Sequence, residues 1–353
     1  MFNKKILDYV GDISQIGGLK RISFNSGMAK GVEAIDVDNG DGLIFTVLVD
    51  RGLDIGRLCF KNSNISYMSA TGVVSPYHYD PRGEEWLRGF AGGFLTTCGL
   101  TQAGDPCNVS GVEHGLHGPY SNLQAELTQA FGIWVGDRYE MRIGANVRQA
   151  RQQTENLLLS REIVCVLGEN TLRWKDKISN QGAHPQAFMI LYHMNFGYPL
   201  INPGCEIIIP AEHTKGWDKY SQSLVGTCAE IAEPDAGAKH CVFLHDMHED
   251  NGKTGFFIAD NKQAPRFALS VRYDTNVLHT LGQWRYLCKR DYVMAMEPCN
   301  NHIKGLSYEK EHGALQYLQS DQEIEIEFEA RFLSGENEIA IERENILGLM
   351  GEI

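Results

Sequence analysis

Apolar positions along this chain recur every second residue far more often than every third or fourth. Over residues 322–332 the alternation is nearly strict. Ile324, Ile326, Phe328 and Ala330 fall in one phase, and Glu323, Glu325, Glu327, Glu329 and Arg331 in the other. A period of two with charge on one side predicts an antiparallel strand with one face in water. A β-branched and apolar run over residues 43–49 reads as another strand, stopped by Asp50-Arg51-Gly52. Further strands are predicted at 139–147, 156–166, 171–178, 187–196 and 266–273. Turn sequences such as Asn39-Gly40-Asp41-Gly42, Asn180-Gln181-Gly182 and Asn202-Pro203-Gly204 lie between the runs. Helical periodicity is confined to residues 336–350, with short turns near 81–89. Alternating strand–helix units are missing, and no Gly-rich phosphate loop follows a strand, which argues against a doubly wound α/β fold. The pattern predicts one all-β domain over residues 1–353, a large antiparallel β-sandwich with few short helices.

Three polar motifs interrupt apolar sequence. In the run 187–196, Phe188, Ile190, Tyr192, Met194 and Phe196 share one strand face, and Met189, Leu191, His193 and Asn195 share the other. A strand apolar on both faces is buried on both sides, so His193 and Asn195 emerge together at its far end. A ligand pocket places fixed hydrogen-bonding groups at such a position; a core histidine bonded to a backbone carbonyl is the structural alternative. Glu297 repeats the arrangement, with Val293 and Ala295 on its face and Pro298 predicted to end the strand. Desolvation at the end of an apolar run raises a carboxyl pKa towards neutrality and suits it to general-base work. A buried Glu paired with Arg is the alternative there. In Glu113-His114-Gly115-Leu116-His117-Gly118 the glycines permit a tight turn close to a ligand. Two histidines three apart fall short of the three or four ligands that a zinc site needs, so no metal is expected.

Composition narrows the partners. The 353 residues are 43% hydrophobic with a formal net charge of -13, which disfavours a phosphate backbone as partner. No apolar stretch reaches membrane-spanning length, and the opening sequence turns acidic before a signal-peptide core develops. Nine cysteines without a C-x-x-C pair fit reduced thiols in a cytoplasmic setting.

The ordered set of motifs resembles the aldose 1-epimerase (galactose mutarotase-like) superfamily, in its divergent bacterial aldose 1-epimerase subgroup. The likeness rests on Phe94 to Leu100, the His114 to Gly118 turn, Tyr192-His193-Met194-Asn195-Phe196 and the stretch from Gln283-Trp284 to Glu297-Pro298. It implies a β-supersandwich with a cleft across one sheet and exchange of sugar anomers without a cofactor. In that resemblance His193 is the acid protonating the ring oxygen and Glu297 the base taking the anomeric proton. His117 and an arginine position the sugar, with Arg88 the choice and Arg51 and Arg57 its rivals. Asn195 and Trp284 join as substrate-binding residues, and Asp218 is a weaker candidate for the sugar-binding aspartate. Two other functions stay open. One is epimerisation, isomerisation or elimination at another carbon of a keto-sugar, metal-assisted through His114, His117, His193, Glu297 or His302. The other is sugar binding without catalysis.

Overall fold

The computed structural model describes residues 2–262 and 266–351. Three antiparallel sheets dominate it. An eight-stranded sheet runs, in spatial order, Glu206–Ile208, Lys253–Ala259, Phe267–Asp274, Glu323–Ser334, Thr171–Asn180, Asn156–Val166, Arg138–Ala150 and Glu126–Val135. A seven-stranded sheet runs Ala211–Gly216, Cys241–Met247, Thr280–Cys288, Asp291–Cys299 and Gln186–Gly197; the last strand also pairs with Gln316–Leu318 and Thr96–Leu100. A five-stranded meander, Gly18–Ser23 through Ser63–Asn64, adds the third sheet. The antiparallel sandwich expected from the strand phases is therefore what forms. The C-terminal helix is Glu336–Leu347, followed by a 3-10 turn at Gly348–Met350.

The period-two faces do the work that alternation assigns to them. Ile326, Phe328 and Ala330 are buried while Glu323, Glu325 and Glu327 face water. Phe188, Ile190, Tyr192, Met194 and Phe196 join Met294 and Met296 in the principal core, which draws on all three large sheets. A second apolar cluster lies on the opposite face of the seven-stranded sheet. It contains Trp86, Phe90, Cys98, Met189, Leu191, Val293 and Cys299, with Trp284 packed against it. One reading of the sequence is corrected. Pro298 does not end its strand, which continues to Cys299, although proline supplies no amide for the ladder.

A buried ionic knot joins the sheets beneath this face. The Arg161 guanidinium donates to both carboxylate oxygens of Asp176 at 2.8 and 2.7 Å. It also reaches Asp54 at 2.8 Å and Thr97 Oγ1 at 2.9 Å. Tyr192 closes the knot by donating to Asp176 at 2.8 Å. Asp54 belongs to the meander, Arg161 and Asp176 to the eight-stranded sheet, and Thr97 and Tyr192 to the seven-stranded one. Desolvation pushes the Asp54 carboxyl up to about 6 even though Arg161 and Thr97 pull it down. Complete burial penalises the charged carboxylate more than its partners repay, which is the physical reason.

Candidate active site

Strand phase assembles the site. Tyr192 and Met194 face the core, so His193 and Asn195 face the outer side of the seven-stranded sheet. Met294 and Met296 likewise face inward and leave Val293, Ala295 and Glu297 outward. The register pairs Leu191 with Cys299 and Asn195 with Ala295, which sets His193 directly across from Glu297. His193 Nε2 comes to 3.2 Å from Glu297 Oε1. Thr96 flanks His193 on one side and Gly282 flanks Glu297 on the other, completing a row across the sheet.

His117 arrives from the turn. Its φ of +58° lies in the left-handed region, uncommon for a side chain of this size, and three hydrogen bonds hold it there. The His117 amide donates to the Gly104 carbonyl at 2.9 Å, its carbonyl accepts from Gly99 at 3.0 Å, and Gly104 N–H donates to the ring Nδ1 at 3.3 Å. A ring nitrogen that accepts leaves the proton of the neutral imidazole on Nε2. The rings of His117 and His193 stand nearly perpendicular, 5.8 Å apart. Phe90 packs on His193 at 5.3 Å and Trp86 on His117 at 4.8 Å. Trp284 meets His193 edge-on at 5.6 Å.

Burial governs the electrostatics. His193 is 5% exposed, Glu297 2% and His117 9%. Desolvation pushes Glu297 up to about 8 and His117 down to about 4. His193 falls to about 3, chiefly by desolvation, with His117 adding to the shift and Asn195 opposing it. Each group is thus driven to its uncharged form. Among the described residues no Arg or Lys lies within ion-pair distance of Glu297. The buried Glu342 shows the contrast: Arg331 at 2.7 Å and Arg272 at 3.4 Å neutralise it. Glu297 therefore departs from the Arg-paired buried glutamate that the sequence left open.

The structure brings His193, Glu297, His117, Asn195 and Trp284 together. Asn195 is wholly buried, and its amide donates to the Gly93 carbonyl at 3.1 Å and the His193 carbonyl at 2.9 Å. Arg88 stands apart. Its side chain is 80% exposed and is bound to Glu85. Arg51 is spent on the carbonyls of Val74 and Gly89, both at 2.8 Å, and Arg57 is exposed. Asp218 caps a short helix by accepting from Ser221 N–H at 2.6 Å. His114 lines a separate surface cleft of about 360 Å³ with Arg151 and Glu155, and His302 binds Glu309 at 3.0 Å. No three His, Cys, Asp or Glu converge as a metal-ligand set among the described residues. Phe90 and Gly282 belong to the site although sequence motifs alone do not single them out. Phe90 follows the Trp86 stretch, and Gly282 lies in the strand of Trp284, two residues before it.

Known structures share this architecture. A candidate aldose 1-epimerase from Klebsiella pneumoniae subsp. pneumoniae MGH 78578 superposes with a TM-score of 0.90 at 22% identity, covering 99% of this chain and 91% of that one. Galactose 1-epimerase from Lactobacillus acidophilus NCFM gives 0.59 at 12% identity, covering 90% and 99%. A galactose mutarotase-like protein from Clostridium acetobutylicum gives 0.58 at 12%, covering 91% and 100%. At these identities the likeness is one of fold, and the fold is the galactose mutarotase-like sandwich. Comparison with curated proteins gives no match. Residues 29–331 match the family described as domain of unknown function DUF4432, and the chain belongs to that family.

Proposed function

We propose that this protein is a carbohydrate isomerase that exchanges the anomers of a free sugar or a close derivative by general acid–base catalysis. One observation carries the reading: His193 Nε2 and Glu297 Oε1 lie 3.2 Å apart on the buried outer face of a sheet. Anomer exchange moves a proton from O1 to the ring oxygen as the C1–O5 bond breaks, then reverses the transfer after rotation about C1–C2. Such a cycle needs one proton donor beside one acceptor, and a His–Glu pair with a single proton between Nε2 and Oε1 supplies both. The resemblance gives that proton to His193 and leaves Glu297 as the base. His117 offers Nε2–H as a donor to a sugar hydroxyl, and Trp284 offers a flat face to sugar C–H groups.

The shared fold with proteins named as aldose 1-epimerase or galactose 1-epimerase supports the substrate class. A positioned acid or base contributes roughly 10²- to 10⁴-fold, enough for a reaction that already proceeds in water once the sugar is held in place. Saturation-transfer NMR or polarimetry on a panel of aldoses tests the proposal. Glu297→Gln is expected to lower exchange by about 10²-fold or more, while calorimetry still detects sugar binding. Exchange that survives the substitution undiminished removes Glu297 from the mechanism. Binding without turnover in the wild type makes the protein a sugar-binding module.

A further inference from the structure

The outer face of the seven-stranded sheet is closed on one side of the His193–Glu297 row and open on the other. On the closed side Leu191 and Cys299 are wholly buried in the cluster that also holds Ile303 and Leu306. Ile303 lies against Gly282, where an added Cβ would come to 2.4 Å from its Cδ1. The ladder between Thr280–Cys288 and Asp291–Cys299 leads the other way. Its outward rungs pair Gly282 with Glu297, Trp284 with Ala295, Tyr286 with Val293 and Cys288 with Asp291. Exposure begins one rung beyond the carboxyl group: Gly282 is buried, whereas Trp284, Tyr286 and Cys288 are each partly exposed.

The two aromatic rings on this ladder continue one surface away from the site. Trp284 meets His193 edge-on, and the Tyr286 ring follows at a centroid distance of 6.4 Å with the planes 24° apart. Residues two apart on a strand advance by roughly 6.6 Å, so the pair repeats the strand's own step. Opposite them stand Ala295 and Val293, whose short side chains rise less far from the sheet than the rings do. Polar groups close the far end. Tyr67 OH donates to Asp291 Oδ1 at 2.9 Å, and Asp291 Oδ2 has no hydrogen-bond partner among the described residues. Asp291 is itself partly exposed. Flat apolar faces ended by a free acceptor match the chemistry of linked sugar rings, which present C–H faces below and hydroxyl donors at the rim.

We infer that the site continues into a second sugar subsite on Tyr286 and Asp291, which makes the substrate class a reducing disaccharide or longer oligosaccharide. The inference rests on the anomer-exchange reading for which ring lies at the catalytic pair. Anomer exchange requires a free O1, so the chain extends from another carbon of the reducing ring, away from the pair. That ring lies over Trp284, with O5 at His193 and O1 at Glu297. The glycosidic link follows the ladder outward, and the next ring stacks on Tyr286 and donates a hydroxyl to Asp291 Oδ2. A monosaccharide fills the first position alone and leaves Tyr286 in water. The second ring adds the apolar burial of the Tyr286 face and a hydrogen bond to a charged acceptor. Tyr67, which holds the other oxygen of Asp291, is a positioning residue for that carboxylate.

Calorimetry and saturation-transfer NMR on the full chain compare glucose, galactose, mannose and xylose with disaccharides that carry each of them at the reducing end: cellobiose, maltose and lactose, galactobiose, mannobiose and xylobiose. At least one disaccharide is expected to bind about tenfold more tightly than its reducing monosaccharide, the worth of one well-packed aromatic contact. Saturation-transfer difference spectra of that complex should show contact to protons of both rings. Tyr286→Ala should lower the disaccharide-to-monosaccharide ratio of kcat/KM about tenfold, and Tyr286→Phe, which keeps the ring, should keep the ratio. Equal affinity for mono- and disaccharides across the panel, or contact confined to the reducing ring, overturns the subsite. This wild-type comparison decides even where a variant fails to fold. An undiminished ratio in Tyr286→Ala overturns it as well. Disaccharide binding that depends on Tyr286, without exchange on any sugar, overturns the proposed function and keeps the subsite. Exchange of monosaccharides alone overturns the subsite and keeps the function, and a protein that binds no sugar of the panel loses both.

Discussion

Gly282 stands opposite Glu297 in the strand ladder, and a Cβ at that position would lie 3.1 Å from Glu297 Oε2 and 2.4 Å from Ile303 Cδ1. The missing side chain is the space that the carboxyl group occupies. Ile303 can yield by rotating its terminal methyl, whereas Glu297 Oε2 must give by a few tenths of an ångström and belongs to the carboxyl whose Oε1 meets His193. Gly282→Ala is therefore expected to cost about 1–3 kcal/mol of stability and, if Glu297 is the base as proposed, to reduce sugar exchange at least about tenfold through its misplacement. Adding Ile303→Val should return much of the stability and little of the rate. Urea unfolding and saturation-transfer NMR on the two variants measure this; full activity in Gly282→Ala would mean that the Glu297 position is not constrained from this side.

The displaced ionisations make stability depend on pH in a way that one substitution isolates. Glu297 holds its proton in the folded state up to about 8, whereas an unfolded Glu releases it near about 4.3. Between these values the folded state binds more protons than the unfolded one. The contribution of Glu297 is thus fully present in acid and is lost as pH rises towards 8. His117, His193 and the buried His245 run the other way, being lowered to about 4, 3 and 4. They remain neutral when folded and take up protons when unfolded, so stability falls as pH drops below about 6.5. The wild type should be most stable near neutrality. Glu297→Gln should flatten the alkaline decline and steepen the acid limb by about 1.4 kcal/mol per pH unit, the worth of one proton. Guanidinium titrations from acid to mildly alkaline pH measure both slopes, and parallel curves for the two proteins would refute the displaced Glu297 pKa.

Phase was legible in the sequence and register was not. Alternation placed His193 and Asn195 on the face opposite Tyr192, and Glu297 opposite Met296, because side-chain direction is a local property of a strand. That His193 meets Glu297 depends on which residues pair between distant segments, and no local pattern carries that information. The arginine expectation shows the same limit, since exposure of Arg88 follows from how its 3-10 turn sits on the sheet. One signal was present and easy to pass over. In Asn156–Val166 the inward phase reads Leu157, Leu159, Arg161, Ile163, Cys165, and in Thr171–Asn180 it reads Leu172, Trp174, Asp176, Ile178. Two opposite charges in the inward phase of adjacent strands announce a buried ion pair.

Arg51 fastens the cover of the site. Its guanidinium binds the Val74 and Gly89 carbonyls, the two ends of the segment that delivers Trp86 and Phe90 onto His117 and His193. Arg51→Met keeps the buried volume and removes both bonds. Two unsatisfied carbonyls are expected to cost about 2–4 kcal/mol in all, concentrated in local opening of this segment. Hydrogen-exchange mass spectrometry should show residues 74–90 opening faster while the strands of His193 and Glu297 keep their protection. His193, less desolvated, should titrate nearer its ordinary value. Uniform loss of protection across the sheet would mean that Arg51 supports the whole fold and not its cover.

The knot around Arg161 offers the sharpest separation of architecture from chemistry. Arg161 and Asp176 are wholly buried, so removing one partner strands the other. Arg161→Met leaves Asp54 and Asp176 without a cation, and Asp176→Asn leaves Arg161 with Asp54 alone. Breaking a buried pair from one side costs about 3–5 kcal/mol, whereas Tyr192→Phe removes one hydrogen bond to a charged group and should cost about 1.5–3 kcal/mol. Arg161→Met should be the most damaging, because three sheets meet at the guanidinium. Combined with Asp54→Asn and Asp176→Asn it should recover part of the loss, since no buried charge is then left unpaired. The knot touches the site only through the strands it anchors: Thr97 adjoins Thr96, and Tyr192 adjoins His193. Variants that remain folded should retain exchange rates within about tenfold of wild type while their urea midpoints fall. A variant of full stability with abolished exchange would instead place this network inside the proton-transfer machinery.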